Sequence, residues 1–187
     1  MSRPGDQDWH LDGDGWLSGV RHLASPNFDD RPPHTDVCLV VVHSISLPPG
    51  TFTGNAVTEF FTNRLNPAEH AYFRSIAHQR VSAHFFIRRD GTVIQLVSCR
   101  SRAWHAGVSC WRGRERCNDF SIGIELEGDD YSHYEKLQYR SLMQLLDLLQ
   151  RHYPIAAIAG HADIAPGRKT DPGPRFDWSC IPNALRI

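Results

Sequence analysis

A mixed β-sheet with helices packed against it is the fold that this sequence predicts, and three stretches carry the prediction. Residues 36–43 (Asp-Val-Cys-Leu-Val-Val-Val-His) are β-branched and almost continuously apolar, the pattern of a strand buried on both faces. Residues 81–97 alternate in polarity around Asp90-Gly91, a dipeptide suited to a hairpin turn. Residues 134–152 offer Leu137, Leu142, Leu145, Leu146 and Leu149 as the apolar stripe of a long helix that stops before Pro154. The 187 residues show no repeat, no linker and no shift in composition, so residues 1–187 are expected to form a single domain.

The remaining elements follow in order. Residues 1–35 are rich in Asp, Gly and Pro and are expected to be an irregular arm, residues 1–15 above all, with Trp16, Leu17 and Val20 forming one short turn. The strand at 36–43 ends in His43 and gives way to Leu47-Pro48-Pro49-Gly50, which must be a loop. A histidine where a central strand stops is well placed to aim into a crevice. Residues 55–65 read as a short helix burying Val57, Phe60 and Phe61, and residues 66–80 as holding one further turn. In the hairpin, Ala83, Phe85 and Ile87 alternate with Ser82, His84 and Phe86. Residues 120–127 form another strand, with Ile122, Ile124 and Leu126 on one side and Gly123, Glu125 and Glu127 on the other. Residues 176–187 add a short final helix, limited by Pro182.

Composition narrows the function classes. A net charge of -1 gives no electrostatic case for nucleic acid or an anionic membrane as partner. The cleanest apolar run, residues 37–42, is far short of the ~20 residues that a membrane span requires. The polar, acidic N-terminus lacks the features of a secretory signal. Five cysteines, scattered and without a C-x-x-C pair, fit reduced thiols, and the protein is expected to be cytoplasmic.

Chemistry concentrates in residues 160–173, Gly-His-Ala-Asp-Ile-Ala-Pro-Gly-Arg-Lys-Thr-Asp-Pro-Gly. Gly and Pro argue against regular structure there, and His161, Lys169 and Asp171 supply a metal ligand type, a fixed positive charge and a second ligand type. A catalytic zinc site takes three protein ligands and leaves a position for water. His43, His161 and Asp171 offer such a set. Glu125, on the strand face opposite the apolar residues, is the candidate base, with Glu127 its local rival; Lys169 is the candidate stabiliser of an oxyanion. Spacing alone leaves open whether these groups meet, and each has a plain structural alternative as a surface or core residue.

A resemblance joins them. Val41-Val42-His43-Ser44-Ile45-Ser46-Leu47-Pro48-Pro49-Gly50, Val81-Ser82-Ala83-His84, Ala103-Trp104-His105-Ala106-Gly107, Cys117-Asn118-Asp119-Phe120-Ser121-Ile122-Gly123-Ile124-Glu125-Leu126-Glu127-Gly128 and the 160–173 loop occur in that order. Together, from about Trp16 to Trp178, they closely resemble the cytosolic zinc amidases of the AmpD type, which act on 1,6-anhydro-N-acetylmuramyl-L-alanine. The resemblance implies an amidase and peptidoglycan-recognition-like fold, Zn2+ held by His43, His161 and Asp171, Glu125 as proton acceptor and Lys169 as transition-state stabiliser. It implies hydrolysis of the lactyl–L-alanine amide of anhydro-muropeptides during peptidoglycan recycling, and a loss of function that would affect β-lactamase induction. The expected partner is a small muropeptide, with no nucleic acid and no membrane, and the protein is expected to be a monomer.

Substrate contacts are expected from Arg80, Arg116 and Arg168, which suit carboxylates, and from Trp104, which suits a sugar face. Ser44 stands where relatives commonly carry asparagine, so its shorter hydroxyl would alter affinity or peptide preference. His84 and His105 read as core histidines, with a role in orienting ligands or substrate as the alternative. The segment between Pro48 and Arg80 is expected to border the groove and to move as substrate enters. Two rivals remain: a non-catalytic peptidoglycan-fragment binding module on the same fold, and an amidase acting on intact cell wall. A zinc peptidase is weaker, because no H-E-x-x-H helix is present.

Overall fold

The β-branched run becomes the second-from-edge strand of a six-stranded sheet in the computed structural model, which describes residues 9–182 and Leu185. The strands are β1 (Arg21–His22), β2 (Phe28–Asp29), β3 (Leu39–Ile45), β4 (Phe85–Ile87), β5 (Val93–Gln95), β6 (Arg102–Ala103), β7 (Cys110–Trp111), β8 (Arg114–Glu115), β9 (Ser121–Glu127) and β10 (Ala157–Gly160). The helices are α1 (Ala56–Phe61), α2 (Ala71–Ile76), α3 (Lys136–His152) and α4 (His161–Ile164). The main sheet runs β1-β5-β4-β9-β3-β10, while β2–β6 and β7–β8 form small separate ribbons. Only β4–β5 pairs antiparallel in the main sheet; the other four pairings are parallel, so the expected mixed sheet is borne out.

The two faces of the sheet are covered differently. Val40, Val42, Ile122, Ile124, Leu126, Phe85 and Ile87 face α3, whose Leu142, Leu145, Leu146, Leu148 and Leu149 complete one core. On the reverse face Leu39, Val41, Ala157 and Ala159 pack with Ala106, Cys117, Phe120 and Ile164. A third cluster joins Leu47, Phe60, Phe61, Phe73 and Ile76 from the 47–76 segment to Phe86, Ile94 and Leu96. Burying one such side chain contributes roughly 1.5–3 kcal/mol, so this segment is held by its aromatic residues.

Four expectations need correction. The N-terminal arm is not irregular throughout. Leu17 and Leu11 are buried and bridge one another, and β1 adds a parallel edge strand to β5; residues 1–8 lie outside the described residues. Leu137 is 52% exposed. At about 100° per residue it points roughly 140° away from Leu142, off the stripe that the other leucines share. Residues 160–173 are not wholly irregular, because His161 opens the single turn α4, where Asp163 Oδ2 accepts a 2.7 Å hydrogen bond from the Gly160 N–H. Ahead of it β10, rich in alanine, pairs with β3 in register from Ala157↔Leu39 to Gly160↔Val42. The final segment forms one 3-10 turn at Trp178–Cys180, and residues 183, 184, 186 and 187 lie outside the described residues. Cys38, Cys99, Cys110 and Cys117 are free thiols.

Candidate metal centre and active-site groove

Parallel strands in register carry the site. His43 of β3 stands directly opposite Glu125 of β9, and His161 follows the last residue of β10, so all three project near the C-terminal ends of neighbouring strands. That is the crevice where open α/β sheets bind ligands. The 165–173 segment then folds back over these ends. The Tyr134 hydroxyl donates to the Pro172 carbonyl at 2.7 Å, the Thr170 hydroxyl donates to Asp130 at 2.8 Å, and the Ala162 N–H donates to the Asp171 carbonyl at 2.9 Å. These ties fix Asp171 beside the two histidines.

The three donor atoms form a near-equilateral triangle. His43 Nδ1 lies 3.0 Å from His161 Nδ1 and 3.0 Å from Asp171 Oδ2, and His161 Nδ1 lies 3.1 Å from Asp171 Oδ2. Donors about 2.0–2.1 Å from a tetrahedral ion stand roughly 3.3 Å apart, so the triangle is close to the size that a metal requires. Its chemistry fits too. His161 Nε2 is 3.0 Å from the Ala106 carbonyl, which can only accept, so the ring proton sits on Nε2 and Nδ1 presents a bare lone pair to the Asp171 carboxylate. A cation between these two donors would satisfy both. Burial holds the His43 imidazole down to about 4, against the pull of the Asp171 contact, so it is neutral at physiological pH and able to ligate.

Beside the triangle lies Glu125, 8% exposed, whose Oε2 is buried without a hydrogen-bond partner among the described residues. Burial, reinforced by the negative charge of Asp171 and opposed by Lys169, raises its carboxyl well above the ordinary range. Such a group takes and returns a proton readily. Lys169 lines the same groove and its charge is felt by both Glu125 and His43. Glu127, the rival, is employed elsewhere: its Oε2 accepts from the Arg89 N–H at 3.1 Å and its Oε1 is 3.6 Å from Arg88, which secures the 88–91 turn.

The groove encloses about 610 Å³ and is lined by His43, Glu125, His161, Lys169 and Asp171 together with Ser44, Trp104 and Arg168. Leu47, Pro49, Phe60, Phe61, Tyr72 and Ile76 form a wall from the 47–76 segment. Ser44 lines the groove from the end of β3, and the Trp104 indole donates to Asp29 at 3.1 Å. Arg168 donates through Nη2 to the Ala106 carbonyl at 2.7 Å and to that of Val108. Arg80 and Arg116 are not among the residues that line the groove, contrary to expectation: Arg80, in the loop after α2, donates to the Ala77 and Gln79 carbonyls, and Arg116 pairs with Asp119 at 3.2 Å.

His105 is more than the core histidine that its surroundings in sequence suggest. Its Nδ1 lies 2.9 Å from His43 Nε2, and its Nε2 lies 3.2 Å from the Ser121 hydroxyl. The sequence holds one signal for it. Gly123 interrupts the site face of β9, and a Cβ there would lie 2.4 Å from His105 Cγ, so the glycine makes room for the ring. His84 keeps the structural role, accepting from the Gly123 N–H at 3.0 Å and donating to the Ser101 carbonyl at 3.1 Å.

Residues 33–174 match the family described as N-acetylmuramoyl-L-alanine amidase. The chain belongs to that family. Among its members, the chain is 54% identical over 168 residues to the 1,6-anhydro-N-acetylmuramyl-L-alanine amidase AmpD of Citrobacter freundii, covering 89% of this chain and 90% of that protein. A crystal structure of an AmpD derivative superposes with a TM-score of 0.90 at 53% identity, covering 95% of this chain and 99% of the other. The amidase AmiD of Escherichia coli, solved with anhydro-N-acetylmuramic acid-L-Ala-D-gamma-Glu-L-Lys, gives a TM-score of 0.56 at 29% identity, over 90% of this chain and 63% of that one. The AmpD-type resemblance and the amidase fold are thus borne out. Among the described residues, no helix is long and apolar enough to cross a membrane.

Proposed function

We propose that this amidase is zinc-dependent and hydrolyses the amide between the lactyl group of 1,6-anhydro-N-acetylmuramic acid and the L-alanine of its peptide, as a cytoplasmic, monomeric enzyme of peptidoglycan recycling. One observation carries the reading: the His43–His161–Asp171 triangle stands next to a buried carboxylate oxygen of Glu125 that has no partner among the described residues. The kinship with AmpD of Citrobacter freundii supports the substrate class, and AmiD with its bound anhydro-muropeptide supports the same chemistry on this fold.

His43, His161 and Asp171 would hold the ion. When bound, Zn2+ polarises a carbonyl and brings the pKa of a coordinated water from 15.7 to about 7. Glu125 receives a proton at Oε2 and returns it to the departing amine of L-alanine, a role worth about 10²–10⁴-fold. Lys169 offers its ammonium to the negative charge that develops on the carbonyl oxygen. Trp104 and Ser44, both on the groove wall, orient the sugar and peptide. Arg168 acts through the backbone, because its guanidinium ties the Ala106 and Val108 carbonyls. Clearance of anhydro-muropeptides by this route would keep β-lactamase induction low.

Metal analysis paired with an amide-cleavage assay on soluble anhydro-muropeptide tests the proposal. One zinc per chain is expected, cleavage should stop on chelation, and Asp171→Ala should lose both metal and activity. Full cleavage after complete metal removal, or unchanged zinc in Asp171→Ala, would overturn it. Faster turnover of whole sacculi than of the soluble fragment would transfer the enzyme to the intact wall.

A further inference from the structure

The geometry points to His105 as a positioning residue: with Ser121 it forms a directional relay that fixes the proton of His43 on Nε2 and leaves Nδ1 free for the ion. The direction is set at the far end, by a group that can only accept. Ser121 donates its single hydroxyl proton to the Cys117 carbonyl at 2.6 Å. Its oxygen, 3.2 Å from His105 Nε2, must therefore accept from that nitrogen. His105 then has no proton on Nδ1, which accepts from His43 Nε2 at 2.9 Å. Each link forces the next, and the last atom in the chain is the lone pair of His43 Nδ1.

The surroundings hold this relay in place. Asn118 Oδ1 accepts from the backbone N–H groups of His105 and Ala106 at 3.1 and 2.8 Å, so the segment bearing the ring is anchored. His84 packs edge-on against His105, with ring centroids 5.8 Å apart. Gly123 leaves the space on β9 that the ring fills, since a methyl group at that position would stand 2.4 Å from Cγ. His161 reaches the same tautomer by a shorter path, through the Ala106 carbonyl. Both imidazoles thus present Nδ1, one through a backbone group and one through two side chains. Partners of this kind typically alter metal affinity or activity by about 10–100-fold.

The inference rests on His43 being a metal ligand, and the test separates the two claims. In the metal-free full chain, long-range 1H–15N spectra of the imidazoles should show His43 protonated on Nε2 and His105 protonated on Nε2. His105→Phe keeps the bulk and removes the acceptor; His43 should then populate the Nδ1–H form, and the zinc dissociation constant should rise about 10–100-fold. His105→Asn places Oδ1 near the position of Nδ1 and should restore the His43 tautomer and most of the affinity. At saturating zinc the KM of His105→Phe should match that of the unaltered enzyme. Should His105→Phe fail to fold, Ser121→Ala removes the outer acceptor alone and should loosen the His105 tautomer with a smaller loss of zinc affinity. Unchanged imidazole spectra and zinc affinity in these variants, or an Asn variant no better than Phe, would overturn the relay. A fixed His43 tautomer in a protein that binds no zinc would support the relay while removing the metal reading.

Discussion

On the α3 side of β3 and β9 stand Val40, Val42, Ile122, Ile124 and Leu126, packed against the leucines of α3. On the reverse side of the same strands stand His43, Ser121, Gly123, Glu125 and Glu127, and these are hidden from solvent to almost the same degree. Burial therefore does not separate the two faces; the partners do. The side chains that β3 and β9 turn toward α3 in this core are apolar and contribute through area and packing. The site face satisfies its polar atoms one by one, through the His105–Ser121 chain and the Arg89 N–H on Glu127, and leaves Oε2 of Glu125 unmatched. An unsatisfied buried acceptor costs roughly 1–3 kcal/mol, and in the proposed function this is the atom that receives the proton.

The comparison predicts that substitutions on one face alter turnover and those on the other alter stability. Glu125→Ala should have the largest effect, lowering kcat by about 10²–10⁴-fold with zinc content unchanged; turnover within a few-fold of normal would remove Glu125 as the base. Lys169→Ala should follow at roughly 10²–10³-fold in kcat, with metal retained, since one good donor to an oxyanion is worth about 2.7–4 kcal/mol. A pure KM effect would instead make it a substrate anchor. Ile124→Ala, one residue away but on the α3 face, should cost about 2–5 kcal/mol in chemical denaturation while leaving kcat of the folded enzyme nearly unchanged. A large fall in its kcat would show that the faces are not separable. Leu137→Ala should change stability by no more than about 0.5 kcal/mol, because its side chain is exposed.

Much of this division is legible in the residues. The alternation at 121–127 assigns Ile122, Ile124 and Leu126 to one face and Glu125 to the other, and the run at 36–43 announces a strand buried on both sides. The Asp90-Gly91 turn lies where expected, between β4 and β5. What escapes is structure imposed from a distance. Alanine-rich β10 has little strand propensity of its own and is recruited by pairing with β3. The two residues of β1 are too few to carry a pattern and owe their conformation to β5. Leu137 joins the apolar stripe by composition, but its angle around the helix decides otherwise. For the site, His43, His161, Asp171, Glu125 and Lys169 can be named from sequence, but the meeting of residues far apart in the chain needs the resemblance. Sequence alone does not separate the roles of His84 and His105, because a histidine's function depends on which atoms face each of its two nitrogens.

The proposed ligand triangle spans 128 positions, from His43 to Asp171. A ribosome adding ~5–20 residues per second delivers the second of these roughly 6 to 26 s after the first. During that interval the nascent polypeptide can shape most of its sheet but has nothing with which to grip an ion tightly. Hydrolytic competence therefore arrives last, as a closing clasp, and prematurely terminated products would be inert toward cell-wall fragments.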